Sequence, residues 1–213
     1  MGESFVEMIR TAFRFLETEF DFAEVLFQED LGKPYSGGWV EYGSPSTIVS
    51  IVVDKMEAVG PTYVGRVKDR PGFGRMSRIT LDTICEFALT TPQERLRLAS
   101  RDSEELKRDW SDIAKRVLVG MSSLRQASSK VAPSSTEALL VSDAQLLREF
   151  GEPYLRGDFS KWLELCEFQW NWLVGSELSN WSWAEEPTVE KAEAMFHRTR
   201  AYLQALRHEH SRE

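Results

Sequence analysis

Thr47-Ile48-Val49-Ser50-Ile51-Val52-Val53-Asp54-Lys55 is the stretch on which the fold turns. Val49, Ile51 and Val53 fall on one face at period two, while Ser50 and Asp54 fall on the other, with Ile48 and Val52 as apolar exceptions. β-Branched residues in alternation fit a pleated, half-buried surface, so the stretch predicts a strand whose Val49 face meets a core. Thr62-Tyr63-Val64-Gly65-Arg66-Val67-Lys68 follows after a link short enough for an antiparallel hairpin. Upstream, Trp39-Val40-Glu41-Tyr42 precedes Gly43-Ser44-Pro45 and predicts a third strand, completing a small meander.

Helical periodicity surrounds this meander. Ser4 with Glu7 forms a capping-box pattern, and Phe5, Met8, Ile9, Ala12, Phe13, Leu16 and Phe20 then lie on one stripe. From Asp21 to Gln28 the pattern loosens, and residues 31–38 have loop chemistry. An Arg- and Gly-rich connector, Asp69 to Arg78, leads to a short helix opening at Thr80 or Asp82. A long helix opens at Asp102 or Ser103 and carries Trp110, Ile113, Val117 and Met121 at helical spacing. Residues 126–136 are small and polar with one proline, a linker composition. Beyond it, Ser142 or Asp143 is expected to cap a further helix, Gly157-Asp158 to restart one through Val174, and Pro187 to open the last. The fold class expected is α+β: an N-terminal helix, a small antiparallel β-meander, then a mostly helical C-terminal part. The division is into an α+β domain over 1–127 and a helical, Trp-rich part over 137–213, packed on the first or continuous with it.

Composition narrows the function. A formal net charge of −8 over 213 residues argues against a protein built to track phosphate backbones, and suits one that meets a basic partner. The charge is uneven: −5 over residues 1–70 (7 basic, 12 acidic), +3 over 71–130 (11 and 8), −6 over 131–213 (8 and 14). Cys85 and Cys166 both sit among apolar residues at helical spacing and are expected to be reduced and buried. No signal peptide opens the chain and no apolar run approaches membrane-span length, so a cytoplasmic location and no membrane partner are expected.

Catalytic signatures are missing. There is no phosphate-binding loop, dinucleotide glycine pattern, zinc-protease helix motif or nucleophile elbow. His197, His208 and His210 cluster near the end of the chain, where His208 and His210 are expected to face solvent, and the two cysteines are far apart in sequence. No catalytic residue, cofactor or metal ligand is therefore assigned. Two other features stand out. Arg70, Arg75 and Arg78 flank Gly72 and Gly74 just ahead of a helix, a pattern able to hold an anion through guanidinium and backbone N–H groups. Trp162, Trp170, Trp172, Trp181 and Trp183 crowd one segment. Of these, Trp172, Trp181 and Trp183 stand off the main apolar stripe or in a loop. With Glu185 and Glu186 they would form an aromatic patch with an acidic rim, the composition of a partner-binding hot spot.

Phe13 to Phe22, Val40-Glu41-Tyr42-Gly43-Ser44 with the two strands that follow, and Ile79-Thr80-Leu81-Asp82-Thr83-Ile84 together carry a resemblance over roughly residues 5–127. In this arrangement the chain resembles a loose group of small, uncharacterised bacterial α+β proteins, some of which resemble the immunity partners of polymorphic bacterial toxins. The resemblance implies a non-catalytic protein-binding protein, an immunity-like inhibitor of a basic toxin or effector. Two alternatives stand beside it. One is an enzyme or small-anion-binding protein with its site at Arg70–Arg78. The other is a helical component of a larger bacterial or phage assembly, and self-association stays open under each.

Overall fold

Among the described residues β3 (Thr47–Asp54) is the middle strand of five, with β1 (Ala23–Glu29) and β2 (Gly37–Gly43) on one side and β4 (Thr62–Arg66) and β5 (Arg78–Thr80) on the other. Every neighbouring pair is antiparallel and the order is that of the sequence. The structure is a computed structural model. It describes residues 4–29, 37–54, 60–69, 77–99, 103–128, 135–180 and 189–212, with side chains described for all of these but 29, 54, 103–110, 126–128, 172–180 and 189–199. Among the described residues the helices are α1 (Phe5–Phe13), α2 (Phe15–Phe20), α3 (Leu81–Leu89), α4 (Pro92–Leu98), α5 (Ser103–Ser128), α6 (Thr136–Phe150), α7 (Glu152–Leu155), α8 (Trp162–Asn180) and α9 (Val189–His210). The fold is α+β, with an N-terminal helix, an antiparallel sheet and a mostly helical C-terminal part. Among the described residues no helix is long and apolar enough to cross a membrane.

The register places Val49 opposite Tyr42 and Val64, and Ile51 opposite Val40 and Thr62. Val40, Val49, Ile51, Val53 and Val64 have no exposed surface. α1 and α6 lie over this face, and α1 comes so close that a Cβ on Gly38 would meet Phe5 Cβ at 2.9 Å. Replacing Ile51 with Ala should therefore lower stability by about 2–5 kcal/mol through lost burial and a residual cavity. An unchanged urea midpoint would put Ile51 off the core face.

The opposite face carries no mere solvated alternation. Ser50 and Glu41 are cross-strand partners and both are buried. Arg78 Nη2 donates to Glu41 Oε2 at 2.9 Å, Arg78 Nη1 donates to Ser50 Oγ at 2.5 Å, and Ser50 Oγ donates to the same carboxylate at 3.2 Å. Buried polar groups persist when hydrogen-bonded to one another, which is why an alternating pattern here does not mean a wet face.

Several boundaries differ from expectation for identifiable reasons. Asp21 adopts φ +58 and ends α2, letting Phe22 N donate to Leu16 O, so the loosened stretch after it becomes strand β1. A bulge at Val25 breaks the alternation of β1, which hides it from a period-two reading. Strand β4 ends at Arg66, and Val67–Asp69 form a 3-10 turn. Ser135, not Ser142 or Asp143, caps α6, its side chain accepting from Ala138 N. Ser142 and Asp143 are buried in mid-helix, where Arg125 supplies the partner that lets a carboxylate stay there. The helix expected from Gly157 starts only at Trp162, after Asp158 accepts from Ser160 N. Its two apolar faces are both covered where side chains are described: Trp162, Leu165, Cys166 and Phe168 are all buried, between α5 and α9 and against α3 and α4. One apolar cluster runs from Val6 through the sheet to Leu206, joining residues on both sides of 126–136. Cys85 and Cys166 are free and buried, and burial raises both thiols well above their ordinary range.

Candidate functional site

β1 is the outer strand of the sheet and pairs with β2 alone among the described strands. Its central residues Val25, Leu26 and Phe27 are 55%, 43% and 54% exposed. The bulge displaces side chains so that both faces of this edge carry apolar surface. Val25 leans over Gly43, where a Cβ would come within 3.1 Å of it. Phe27 lies beneath the Arg10 guanidinium, 4.9 Å from the ring centre. Arg10 is anchored by Glu24 through two hydrogen bonds of 2.8 Å and by Glu7. Those bonds hold Glu24 below the usual carboxylate range, against the opposing pull of its partial burial. Edge strands are ordinarily blunted by lysine, proline or a covering element, because their free N–H and C=O groups template pairing. Here a bulge is present, but no Lys or Pro interrupts residues 23–29.

Two clefts lie elsewhere. The first, about 330 Å³, opens between the turn after β4, the start of α8 and the last turn of α9. Arg66 is 7% exposed at its floor. Its Nε and Nη2 donate to Asp69 at 2.6 and 2.9 Å, and Nη2 also donates to Glu209 at 3.1 Å. Tyr202 OH donates to Asp69 at 2.6 Å and accepts from Trp162 Nε1 at 2.8 Å. Burial works against the charge on Arg66, but its bonds to Asp69 and the neighbouring charges of Asp69 and Glu209 together outweigh it, so the guanidinium stays protonated. Lys68 completes the rim and also pairs with Glu209, whose carboxyl is held below its usual range chiefly by that bond.

The second cleft, about 270 Å³, is bounded by Gly60, Thr80, Asp82, Arg125, Leu139 and Asp143 among others. Arg125 bridges Asp143 at 2.9 Å and Asp82 at 2.6 Å. Burial pushes the Asp143 carboxyl up to about 6, and Arg125 only partly offsets this. Between about pH 4 and 6 the folded state thus keeps a proton that the unfolded chain has released, so stability falls as pH rises through that window. Asp143→Asn should flatten wild-type stability between pH 4 and 6 by roughly 1–3 kcal/mol. Urea midpoints at pH 4, 5, 6 and 7 check this, and identical slopes for the two proteins would refute it.

Of the residues singled out in sequence, Arg78 is committed to Glu41 and Ser50 within the sheet. Arg70 and Arg75 lie outside the described residues, so the three arginines are not seen together. Trp181, Trp183, Glu185 and Glu186 also lie outside them, as does the side chain of Trp172. Trp162 is core, and Trp170 packs against it with Arg200 5.6 Å from its ring centre. His208 and His210 are exposed, and no group of His, Cys, Asp and Glu among the described residues is arranged to hold a metal. Sequence reasoning passed over β1, Arg66, Asp69 and Tyr202. The run Val25-Leu26-Phe27 was the available signal for the first, and the charge cluster Arg66-Val67-Lys68-Asp69 at a strand end for the second. No protein-family model, curated protein or solved structure matches the chain.

Proposed function

We propose that this chain is a non-catalytic protein-binding protein that docks through the β1 edge, an immunity-like inhibitor of a basic toxin or effector. The observation that carries the reading is the exposed Val25-Leu26-Phe27 run on an outer strand. A free strand edge gives main-chain hydrogen bonds to an incoming extended segment, and the flanking side chains give it apolar contact. Charge sets the sign of the partner. Glu7, Glu17 and Glu24 all act on the buried Tyr42 of β2, with Arg10 as the one opposing cation among the residues that do so. The whole chain carries −8, so a basic segment is steered to this edge. Occlusion is the mechanism: the inhibitor needs no chemistry of its own if the covered segment is one the partner requires.

Affinity capture from the native host, with wild type and Leu26→Lys as parallel baits, tests the reading. A basic protein retained by wild type and reduced at least about tenfold on the variant is expected, with slower association as salt rises. Equal capture by both baits, or association indifferent to salt, would count against it.

A further inference from the structure

The cleft floored by Arg66 has a composition that protein docking at β1 does not use. Its polar lining is Arg66, Lys68, Ser160, Glu209 and His210, and its apolar wall is Phe159, Trp162, Leu163 and Leu206. Arg66 is nine-tenths buried, yet its Nη1 has no acceptor among the described residues. Asp69 grips the other side of the guanidinium, and the chain Trp162 to Tyr202 to Asp69 fixes Asp69 in turn. The guanidinium is therefore oriented before anything binds, the condition under which an Arg recognises a carboxylate with little ordering cost. Glu209, in the last turn of α9, already spans Arg66 and Lys68. It is partly exposed and held only at a helix end, so it can swing away.

We propose that this cleft binds a small organic carboxylate with an apolar body, and that Glu209 is a resident carboxylate which that ligand displaces. Carboxylate oxygens take the Arg66 and Lys68 donors, Nη1 included, while the apolar body lies along Phe159, Trp162 and Leu206. A volume of about 330 Å³ lies within the range of small-ligand pockets. A bare inorganic anion would satisfy the cations and leave the apolar wall uncovered. A neutral apolar molecule would cover the wall and leave Glu209 in place.

Phenylacetate is the probe, titrated into the full chain by calorimetry, with 2-phenylethanol and inorganic phosphate as controls. Wild type should bind phenylacetate weakly and saturably, and Glu209→Gln should bind it at least about tenfold more tightly, since the competing carboxylate is gone. Both controls should bind Glu209→Gln at least about tenfold more weakly than phenylacetate does. Lys68 is well exposed, so Lys68→Ala is expected to fold, and it should weaken phenylacetate binding in the wild-type background, which keeps the test decisive if Glu209→Gln is unstable. Binding of phenylacetate no tighter than 2-phenylethanol, affinity unchanged by Lys68→Ala, or absence of binding to folded Glu209→Gln would each overturn the proposal. The docking reading at β1 is untouched by those outcomes, because Leu26 lies on the far edge of the sheet from this cleft.

Discussion

Arg78→Ala is expected to lower stability by about 3–5 kcal/mol, the effect of stripping a buried carboxylate of its guanidinium. Glu41 has no exposed surface, and its Oε2 takes hydrogen bonds from Arg78 and from Ser50. A carboxylate at such a site cannot recover hydration when its partner goes, and a small side chain at 78 opens no adequate route for water. Arg78 also covers Gly65, where a Cβ would lie 3.1 Å from Arg78 Cγ, so packing is lost with the charge. Replacing both partners with apolar residues of similar length, Glu41→Leu with Arg78→Met, should cost much less than Arg78→Ala alone. Urea midpoints of wild type and the two variants provide the measurement. A shift under about 1 kcal/mol for Arg78→Ala would mean that Glu41 finds solvent readily and is not held by this pair.

That expectation bears on the anion site read from Arg70, Arg75 and Arg78. An Arg ahead of a helix and beside glycines has the right chemistry for an anion, and the sequence contains nothing to show that a carboxylate 37 residues earlier claims it. The pairing arises from register: Gly65 lies opposite Arg78 in one ladder and Ile48 in the next, while Ser50 lies opposite Glu41. Register is legible where one face is apolar, as for Val49, Ile51 and Val53, because a slip by one residue would turn them outward. Where the facing residues are Glu, Ser and Arg, the same pattern reads equally as a wet face or as a buried polar cluster.

Other parts show the same division. The capping box at Thr91 and Glu94 and the caps at Ser4 and Thr80 are local, needing only a few residues in view. Strand β1 is different, since an edge strand with a bulge has neither one buried face nor strict alternation. Asp143 shows why Asp and Ser mislead as start signals: their preference for caps reflects competition with the helix for hydrogen bonds, and Arg125 removes that competition. The cleft at Arg66 was the least legible feature, since it joins a strand end to Tyr202 and Glu209, more than 130 residues later.

Asp69→Ala should be as damaging as the loss of Arg78, at about 3–5 kcal/mol, because it leaves buried Arg66 with one of its three hydrogen bonds. Tyr202 OH loses its bond to Asp69 at the same time, while Trp162 Nε1 still donates to it. Loss of that bond at a buried hydroxyl costs up to about 1–3 kcal/mol, which Tyr202→Phe would avoid at Tyr202 but impose on Trp162. The two substitutions therefore share a partner and should not add. The double variant Asp69→Ala with Tyr202→Phe is expected to be more stable than the sum of the singles predicts, by about 0.5–3 kcal/mol. Arg66→Met in the Asp69→Ala background should recover part of the loss, since it removes the unpaired charge that Asp69→Ala creates. Equilibrium urea unfolding of wild type and the four variants measures both quantities. Additivity within about 0.5 kcal/mol would mean that the Trp162–Tyr202–Asp69 contacts act singly. The guanidinium would then not be fixed in advance, and the carboxylate cleft would lose the orientation on which its affinity rests.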